Sequence, residues 1–261
     1  GDMGTAAVDA LLDALKGGVI ETLPVIRALG IIGDERAARP LTDFLSEVYP
    51  LSIREAAAEA LGGIGLPALD PIFEALEGEG IDPRTAGIAL GEAGVMARDR
   101  LIAALKSKEY DAQILIYALG KISDAESAMA IINTLQGEQY GQKIRDTAEA
   151  ALLEIGTPAI KPLIAALARS PQDQSYFSTV LIKFGSAAID QLVWALKGSF
   201  YPSQNEAIIN ILGEIGDSRA VEPLLDVMRN HTINTKLVSA AIDNIWKKQR
   251  RDKERFGKGT N

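Results

Sequence analysis

Five charged side chains recur at repeat spacing along this chain: Glu92, Lys121, Glu154, Lys183 and Glu214, 29 to 33 residues apart. Carboxylates gathered by a fold can share a proton or hold a metal ion, so the series first raises acid–base or metal chemistry. The order of signs argues otherwise. A lysine stands between each pair of glutamates, and alternating charges on neighbouring helices make a ladder of ion pairs that helps set register. Each exposed rung contributes only about 0–1 kcal/mol. Other reactive groups are scarce. There is no cysteine, hence no disulfide and no thiolate metal site, and a single histidine, His231. Asn230-His231-Thr232 has the form of a glycosylation sequon, but no secretion signal supports it. Gly62-Gly63-Ile64-Gly65 follows no strand and precedes no Lys-Ser/Thr pair, so it is read as a helix stop and not as a phosphate loop. A Gly-x-Ser-x-Gly elbow is absent. The residues predict no catalytic group, no cofactor and no metal, and the reading leans away from an enzyme.

The elements that position these residues repeat. An Ala-x-x-x-Leu-x-x-x-Leu pattern marks the first helix of each unit, with its middle apolar position at Leu11, Leu41, Ile72, Leu101, Ile131, Leu163, Leu192 and Leu224. A second helix follows and ends on Leu29, Leu61, Leu90, Leu119, Leu152, Leu181, Leu212 or Ile242. Eight helix pairs fill residues 1–246 and predict one continuous all-α solenoid, with residues 247–261 as a basic C-terminal tail. Leu212 to Met228 shows the joint most clearly. Gly213 and Gly216 are expected to close one helix, and the Asp217 carboxylate to cap the next. Gly30 with Gly33, and Gly62 with Gly63 and Gly65, are expected to act as the same stops. Asp34, Asp82, Asp111 and Asp173 are read as caps. Pro40, Pro71, Pro162 and Pro223 fall early in first helices, where the missing N–H is tolerable. Unit six departs from the pattern, with Tyr176-Phe177-Ser178-Thr179 where alanines are usual.

Charge is uneven. The chain carries −8, but Trp246 to Asn261 holds seven Lys/Arg against Asp252 and Glu254, or +5. Residues 1–245 therefore hold 20 basic and 33 acidic side chains, −13, and such a body repels a phosphate backbone, so no nucleic acid is expected. No apolar run of about 18 residues is present, which predicts no membrane span. The start lacks a basic region and a long apolar core, so no signal peptide is expected and a cytoplasmic location is the default.

Gly33-Asp34-Glu35-Arg36-Ala37, Gly216-Asp217-Ser218-Arg219-Ala220 and Ile53-Arg54-Glu55-Ala56-Ala57 resemble the short HEAT-like repeats of the phycobilisome (PBS) lyase type. The resemblance covers about residues 6–246. Ser123 stands where the turn glycine of unit four is usual, and the Val-Arg pair of the second helix survives as Ile53-Arg54 and Ile144-Arg145. The resemblance implies a right-handed α-solenoid, an armadillo/HEAT-like superhelix, whose second helices line the concave face. Counted from the terminal apolar residue of each second helix, positions −2, −5, −6 and +2 are implied to point into that face. Apolar and aromatic groups then gather at Ile88, Ile114, Tyr117 and Tyr176, beside Arg84, and these five are the expected partner-binding residues. Exposed apolar groups rimmed by charge mark binding surfaces, and Tyr is favoured at hot spots.

Members of this family differ in function. Most are interaction scaffolds, some are bilin lyases or their relatives, and more distant HEAT-like proteins are hydroxylases with repeated His-Glu ligands. One histidine is too few for that metal chemistry. The sequence is read as a non-enzymatic protein–protein interaction scaffold that holds a protein or peptide segment in its concave groove. The alternative is a bilin-lyase-like, tetrapyrrole-handling protein in which Tyr117 and Tyr176 stack on rings and Arg84 pairs with propionates.

Overall fold

A computed structural model describes residues 2–17, 22–78, 80–136, 140–198, 202–229 and 234–256. His231 and its sequon, and Lys258 of the tail, lie outside the described residues. Among the described residues the fold is all-α, with sixteen α-helices, short 3-10 turns and one isolated β-bridge between Ser46 and Ile81. The helices form a HEAT-like solenoid of eight pairs. Two compact units divide them, residues 1–134 with 139–155, and 135–138 with 156–261.

The first unit holds α1 (Asp2–Gly17), α2 (Thr22–Ile32), α3 (Ala38–Thr42), α4 (Leu51–Ile64), α5 (Leu69–Leu76), α6 (Pro83–Glu92), α7 (Val95–Ser107), α8 (Ala112–Ile122), α9 (Ala125–Leu135) and α10 (Gln142–Ile155). The second holds α11 (Ile160–Arg169), α12 (Gln174–Phe184), α13 (Ile189–Gly198), α14 (Pro202–Ile215), α15 (Val221–Arg229) and α16 (Thr235–Phe256). Even-numbered helices are the second helices. They pack in series, α2 on α4, α4 on α6, α6 on α8 and α8 on α10, then α12 on α14 and α14 on α16.

Periodicity placed the core. All eight terminal residues, Leu29, Leu61, Leu90, Leu119, Leu152, Leu181, Leu212 and Ile242, are buried. Burying one such side chain contributes about 1.5–3 kcal/mol. Leu41, Ile72, Leu101, Ile131, Leu163, Leu192 and Leu224 of the first helices are buried as well. Leu11 and Leu15 of α1 are only partly covered. Pro40, Pro71, Pro162 and Pro223 are each the third residue of their α-helix, so no intrahelical donor is lost.

The turn motif has a defined mechanism. Gly33 (φ +69°) and Gly216 (φ +80°) take the left-handed turn, and Ser123 adopts it at φ +58° in place of glycine. Asp34 and Asp217 then accept from the N–H of Arg36 and Arg219, at 3.0 and 2.9 Å. Each arginine folds back on its capping aspartate and reaches an aspartate on the preceding first helix, Asp9 at 2.7 Å and Asp190 at 3.4 Å. Asp82 and Asp111 cap α6 and α8 in the same way. Asp173 does not. Its side chain makes no capping hydrogen bond to α12 and is buried, because a 3-10 turn, Pro171–Asp173, runs directly into that helix.

Several glycines expected to stop helices lie inside them. Gly30 is within α2, Gly62 and Gly63 within α4, and Gly213 within α14. Their role is close approach. A Cβ on Gly30 would lie 2.7 Å from Cα and Cβ of Ala60, and one on Gly213 2.9 Å from the same atoms of Ala241. Gly120 faces Ala151 in the same manner, at 2.8–2.9 Å, and Gly91 faces Lys121 Cβ at 2.6 Å. A residue without a side chain just after the terminal leucine thus lets consecutive second helices touch backbone to side chain.

The stretch Pro171–Gly198 reaches a mean hydropathy of 1.3 over 18 residues. It is not one span: Gly185, at φ +57°, separates α12 from α13, 11 and 10 residues long. A transmembrane helix needs about 20 consecutive residues. The basic tail begins within α16, which runs on to Phe256. Lys248 Nζ meets the Glu214 carbonyl and its carboxylate, and Gln249 donates to the Gly216 carbonyl at 2.9 Å.

Candidate partner-binding face

A helix turns about 100° per residue, so positions −6, −2 and +2 share one face. In the first unit they make a stripe on each second helix: Leu23, Arg27 and Ile31 on α2; Glu55, Glu59 and Gly63 on α4; Arg84, Ile88 and Glu92 on α6; Gln113, Tyr117 and Lys121 on α8; Asp146, Ala150 and Glu154 on α10. None of these is buried. Position −5 differs, since its rotation turns it toward the neighbouring helix. Ala56, Thr85 and Ile114 are buried there. Ile114, expected on the face, is therefore a core residue at 5% exposure, and its carbonyl oxygen abuts Gly87.

Of the five expected residues, four lie in the first unit. Arg84 is exposed, Ile88 and Tyr117 are half-buried, and Ile114 is buried. Tyr176 lies in the second unit on α12, half-buried, with its ring edge-on to the buried Phe177 at 5.5 Å between centroids.

Tyr117 is the best-defined member. Its ring rests on Gly87, where an added Cβ would come within 2.9 Å of Cδ1 and 3.2 Å of Cβ. No other residue type leaves α6 flat enough to seat the ring there. The Arg84 guanidinium lies beside the phenol, whose oxygen raises the guanidinium pKa above its ordinary value; Glu55 and Asp82 add smaller contributions in the same direction. On the other side, Lys121 Nζ is 5.5 Å from the Tyr117 ring centroid. It is held by Glu154 at 2.6 Å, and this hydrogen bond raises its pKa against the opposing effect of burial. One rung of the expected charge ladder is thus made between α8 and α10. Glu214 has a different partner, Lys248 of the tail helix, at 3.4 Å.

The N-terminus of α6 is fixed from beneath. Asp82 caps it, accepts from Thr85 Oγ1 at 3.0 Å, and pairs with Arg54 of α4 at 2.8 Å, with both side chains mostly covered. The Arg84 backbone N–H donates to the same Asp82 carboxylate, so the network holds the Arg84 backbone in place. Sequence reasoning missed Gly87, Lys121 as a neighbour of Tyr117, and this Arg54–Asp82 pair. A signal for the first existed in the spacing Gly87-Ile88-Ala89-Leu90-Gly91, two small residues one turn apart on the face toward α8. Among the described residues, no group of three His, Asp or Glu side chains is arranged to hold a metal ion.

Helix pairs stacked in series define a HEAT-like repeat protein. The repeat type follows from sequence: the PBS lyase HEAT-like repeat matches at residues 25–47, 53–78 and 206–230, and these segments are similar to that repeat. Two solved structures align over most of its length. One is the complex of CpcE and CpcF of phycocyanin lyase from Nostoc sp. PCC7120, 24% identical, with 81% of this chain and 88% of that chain covered and a TM-score of 0.33. The other comes from the computational design of self-assembling cyclic protein homooligomers, 16% identical, with 100% and 95% covered and a TM-score of 0.19. Neither likeness bears on function. No curated protein matches the chain.

Proposed function

We propose that the chain is a non-enzymatic scaffold that holds a segment of a protein partner across the second helices of its first unit, with Arg84, Ile88 and Tyr117 as the main contacts. The observation that carries this reading is the seat of Tyr117 on Gly87. An aromatic ring is held half-open on a glycine, with the Lys121 ammonium 5.5 Å from its centroid, and the stripes on α4 and α10 at either side are mostly polar. Rigid aromatic anchors rimmed by charge are the residues that dominate binding at protein interfaces. Ile114 is a core residue.

The test is affinity capture with wild type and an Ile88→Glu/Tyr117→Glu variant of unchanged circular dichroism. A partner held by wild type and lost by the variant supports the face. The same partner on both baits moves the site elsewhere and removes the reading. A second reading, tetrapyrrole handling, has one observation in its favour: the same cluster sets an aromatic face beside a guanidinium that has no carboxylate within ion-pair distance among the described residues. Such a pair would stack on a ring and bind a propionate. Titrating a bilin and finding no induced absorbance shift would exclude it.

A further inference from the structure

Among the first helices of the first unit lies a pocket that none of Arg84, Ile88 and Tyr117 lines. It holds about 610 Å³ between α1, α3 and α5. Leu12, Leu15, Pro40, Phe44 and Tyr49 supply its apolar wall. Phe44 departs from the repeat. It stands three residues after the middle apolar position of its first helix, where the other units have Ala14, Ala75, Ala104, Ala166, Ala195, Thr134 and Val227. A small side chain is the rule at this position, and unit two places an aromatic ring there.

The ring has a fixed companion. Phe44 and Tyr49 are both half-buried, with centroids 4.8 Å apart and planes tilted by 43°. Phe44 lies in the 3-10 turn Asp43–Leu45 that follows the short α3, and Tyr49 in the loop before α4. Backbone bonds fasten that loop. Glu47 N–H donates to the Gly80 carbonyl at 2.8 Å, and Asp82 N–H to the Leu45 carbonyl at 3.3 Å. On the far side of Tyr49, the Pro50 carbonyl accepts from Ile53 and Arg54 at 2.9 and 3.1 Å as α4 starts. Small-molecule sites are largely pre-formed, about 300–1,000 Å³ in volume, and combine apolar and aromatic walls with few polar groups.

Charge narrows the class of ligand. The charged side chains that line the pocket are Lys16, Arg39, Asp43 and Glu74, and they sum to zero. Arg39 and Glu74 satisfy each other through two hydrogen bonds, at 2.5 and 2.9 Å. Lys16 and Asp43 are exposed, and neither has an ion-pair partner among the described residues. A ligand with a single charge is attracted by one of these two and repelled by the other. A ligand with both an ammonium and a carboxylate is attracted by each. We infer that the pocket takes a small zwitterion with an apolar body. The body lies against Phe44 and Tyr49, with its carboxylate toward Lys16 and its ammonium toward Asp43.

The probes are the dipeptide Leu-Phe, its N-acetyl form, which is an anion, and its C-terminal amide, which is a cation. All three share one apolar body. Saturation-transfer NMR titrations at low salt and about pH 6, where the α-amino group is charged, measure each affinity. Wild type should bind Leu-Phe about three- to fivefold more tightly than either blocked form, the gain expected of one exposed ion pair. Asp43→Asn should bring the N-acetyl form level with Leu-Phe, and Lys16→Met should do the same for the amide. Phe44→Ala installs the residue of the other units and should weaken all three by about tenfold at unchanged circular dichroism. If that variant does not fold, the two charge variants, both at exposed positions, decide alone. No binding of any form, a blocked form preferred by wild type, preferences unmoved by both charge variants, or full binding by Phe44→Ala would overturn the inference. So would loss of Leu-Phe binding in the Ile88→Glu/Tyr117→Glu variant, which would move the site to the second helices.

Discussion

Gly120→Ala tests the packing on which the binding face depends. Gly120 lies inside α8, and an added Cβ would come within 2.8 Å of Ala151 Cβ and 2.9 Å of Ala151 Cα on α10. Carbon atoms in ordinary contact stand about 3.5–4.0 Å apart, so the two helices would have to separate by roughly 1 Å. Overpacking of that kind costs about 1–3 kcal/mol. Alanine is also the better helix former, by about 1 kcal/mol. The net expectation is a loss of up to about 2 kcal/mol, smaller than the clash alone would give. The contrast is Gly198→Ala, at the end of α13, where an added Cβ meets nothing within 4 Å and φ is not left-handed. That variant should gain about 0.4–1 kcal/mol from the stiffer unfolded chain. Urea unfolding followed by circular dichroism measures both, and hydrogen exchange over residues 112–155 locates the loss in Gly120→Ala. Adding Ala151→Gly to Gly120→Ala removes the opposing Cβ and should return part of the stability, with a coupling of about 0.5–3 kcal/mol. If Gly120→Ala instead raises stability like any exposed helical glycine, or if the two substitutions simply add, consecutive second helices are not held together by this contact.

Leu61→Ala, Leu119→Ala or Leu163→Ala removes a fully buried side chain and should cost about 2–5 kcal/mol in the same urea titration. Lys121→Met breaks the pair with Glu154, whose side chains keep 28% and 41% of their exposure. Its effect on stability should stay within about 1 kcal/mol, since exposed pairs contribute little. The Arg219 side chain holds the Asp217 carboxyl below its ordinary value of 3.8, and the Arg219 backbone N–H acts in the same direction, against a smaller effect of burial. A depressed carboxyl adds stability that is fully present above the unfolded-state value and is lost as pH falls through the folded one. Acid titration of Asp217→Asn should therefore show a shallower loss below about pH 4 than wild type; an unchanged slope would mean that the turn does not favour the charged form.

The helices and the core were legible because they depend on spacing within the chain. Leucine or isoleucine at the end of every second helix is buried at all eight positions, and aspartate two residues before a turn arginine caps as its oxygen chemistry requires. Misreadings arose where the deciding neighbour lies a whole repeat away. Gly30, Gly62 and Gly213 look like stops because glycine near a helix end is common there, and only the distance to the next second helix shows what they do. Asp173 looks like a cap in sequence, but the 3-10 turn beside it replaces the cap. Ile114 failed for a related reason. Position −5 lies close enough to the exposed stripe to be drawn with it on a helical wheel, yet glycines bring the neighbouring helix near and bury it.

The same glycine geometry joins stability to binding. Gly87 and Gly91 lie one turn apart on α6, and α8 rests on both, Tyr117 against the first and Lys121 against the second. An alanine at Gly87 would meet the Tyr117 ring at 2.9 Å and the Ile114 carbonyl at 3.1 Å, so it would push the helix away as well as the ring. A face that bound through scattered exposed side chains would tolerate that change once the protein stayed folded. A face that bound through one seated ring would not. Gly87→Ala should thus weaken partner capture beyond any loss in a Gly120→Ala protein of matched stability, because Gly120 lies under no residue of the cluster. Equal capture by the two variants at equal stability would mean that the position of the Tyr117 ring is incidental to binding.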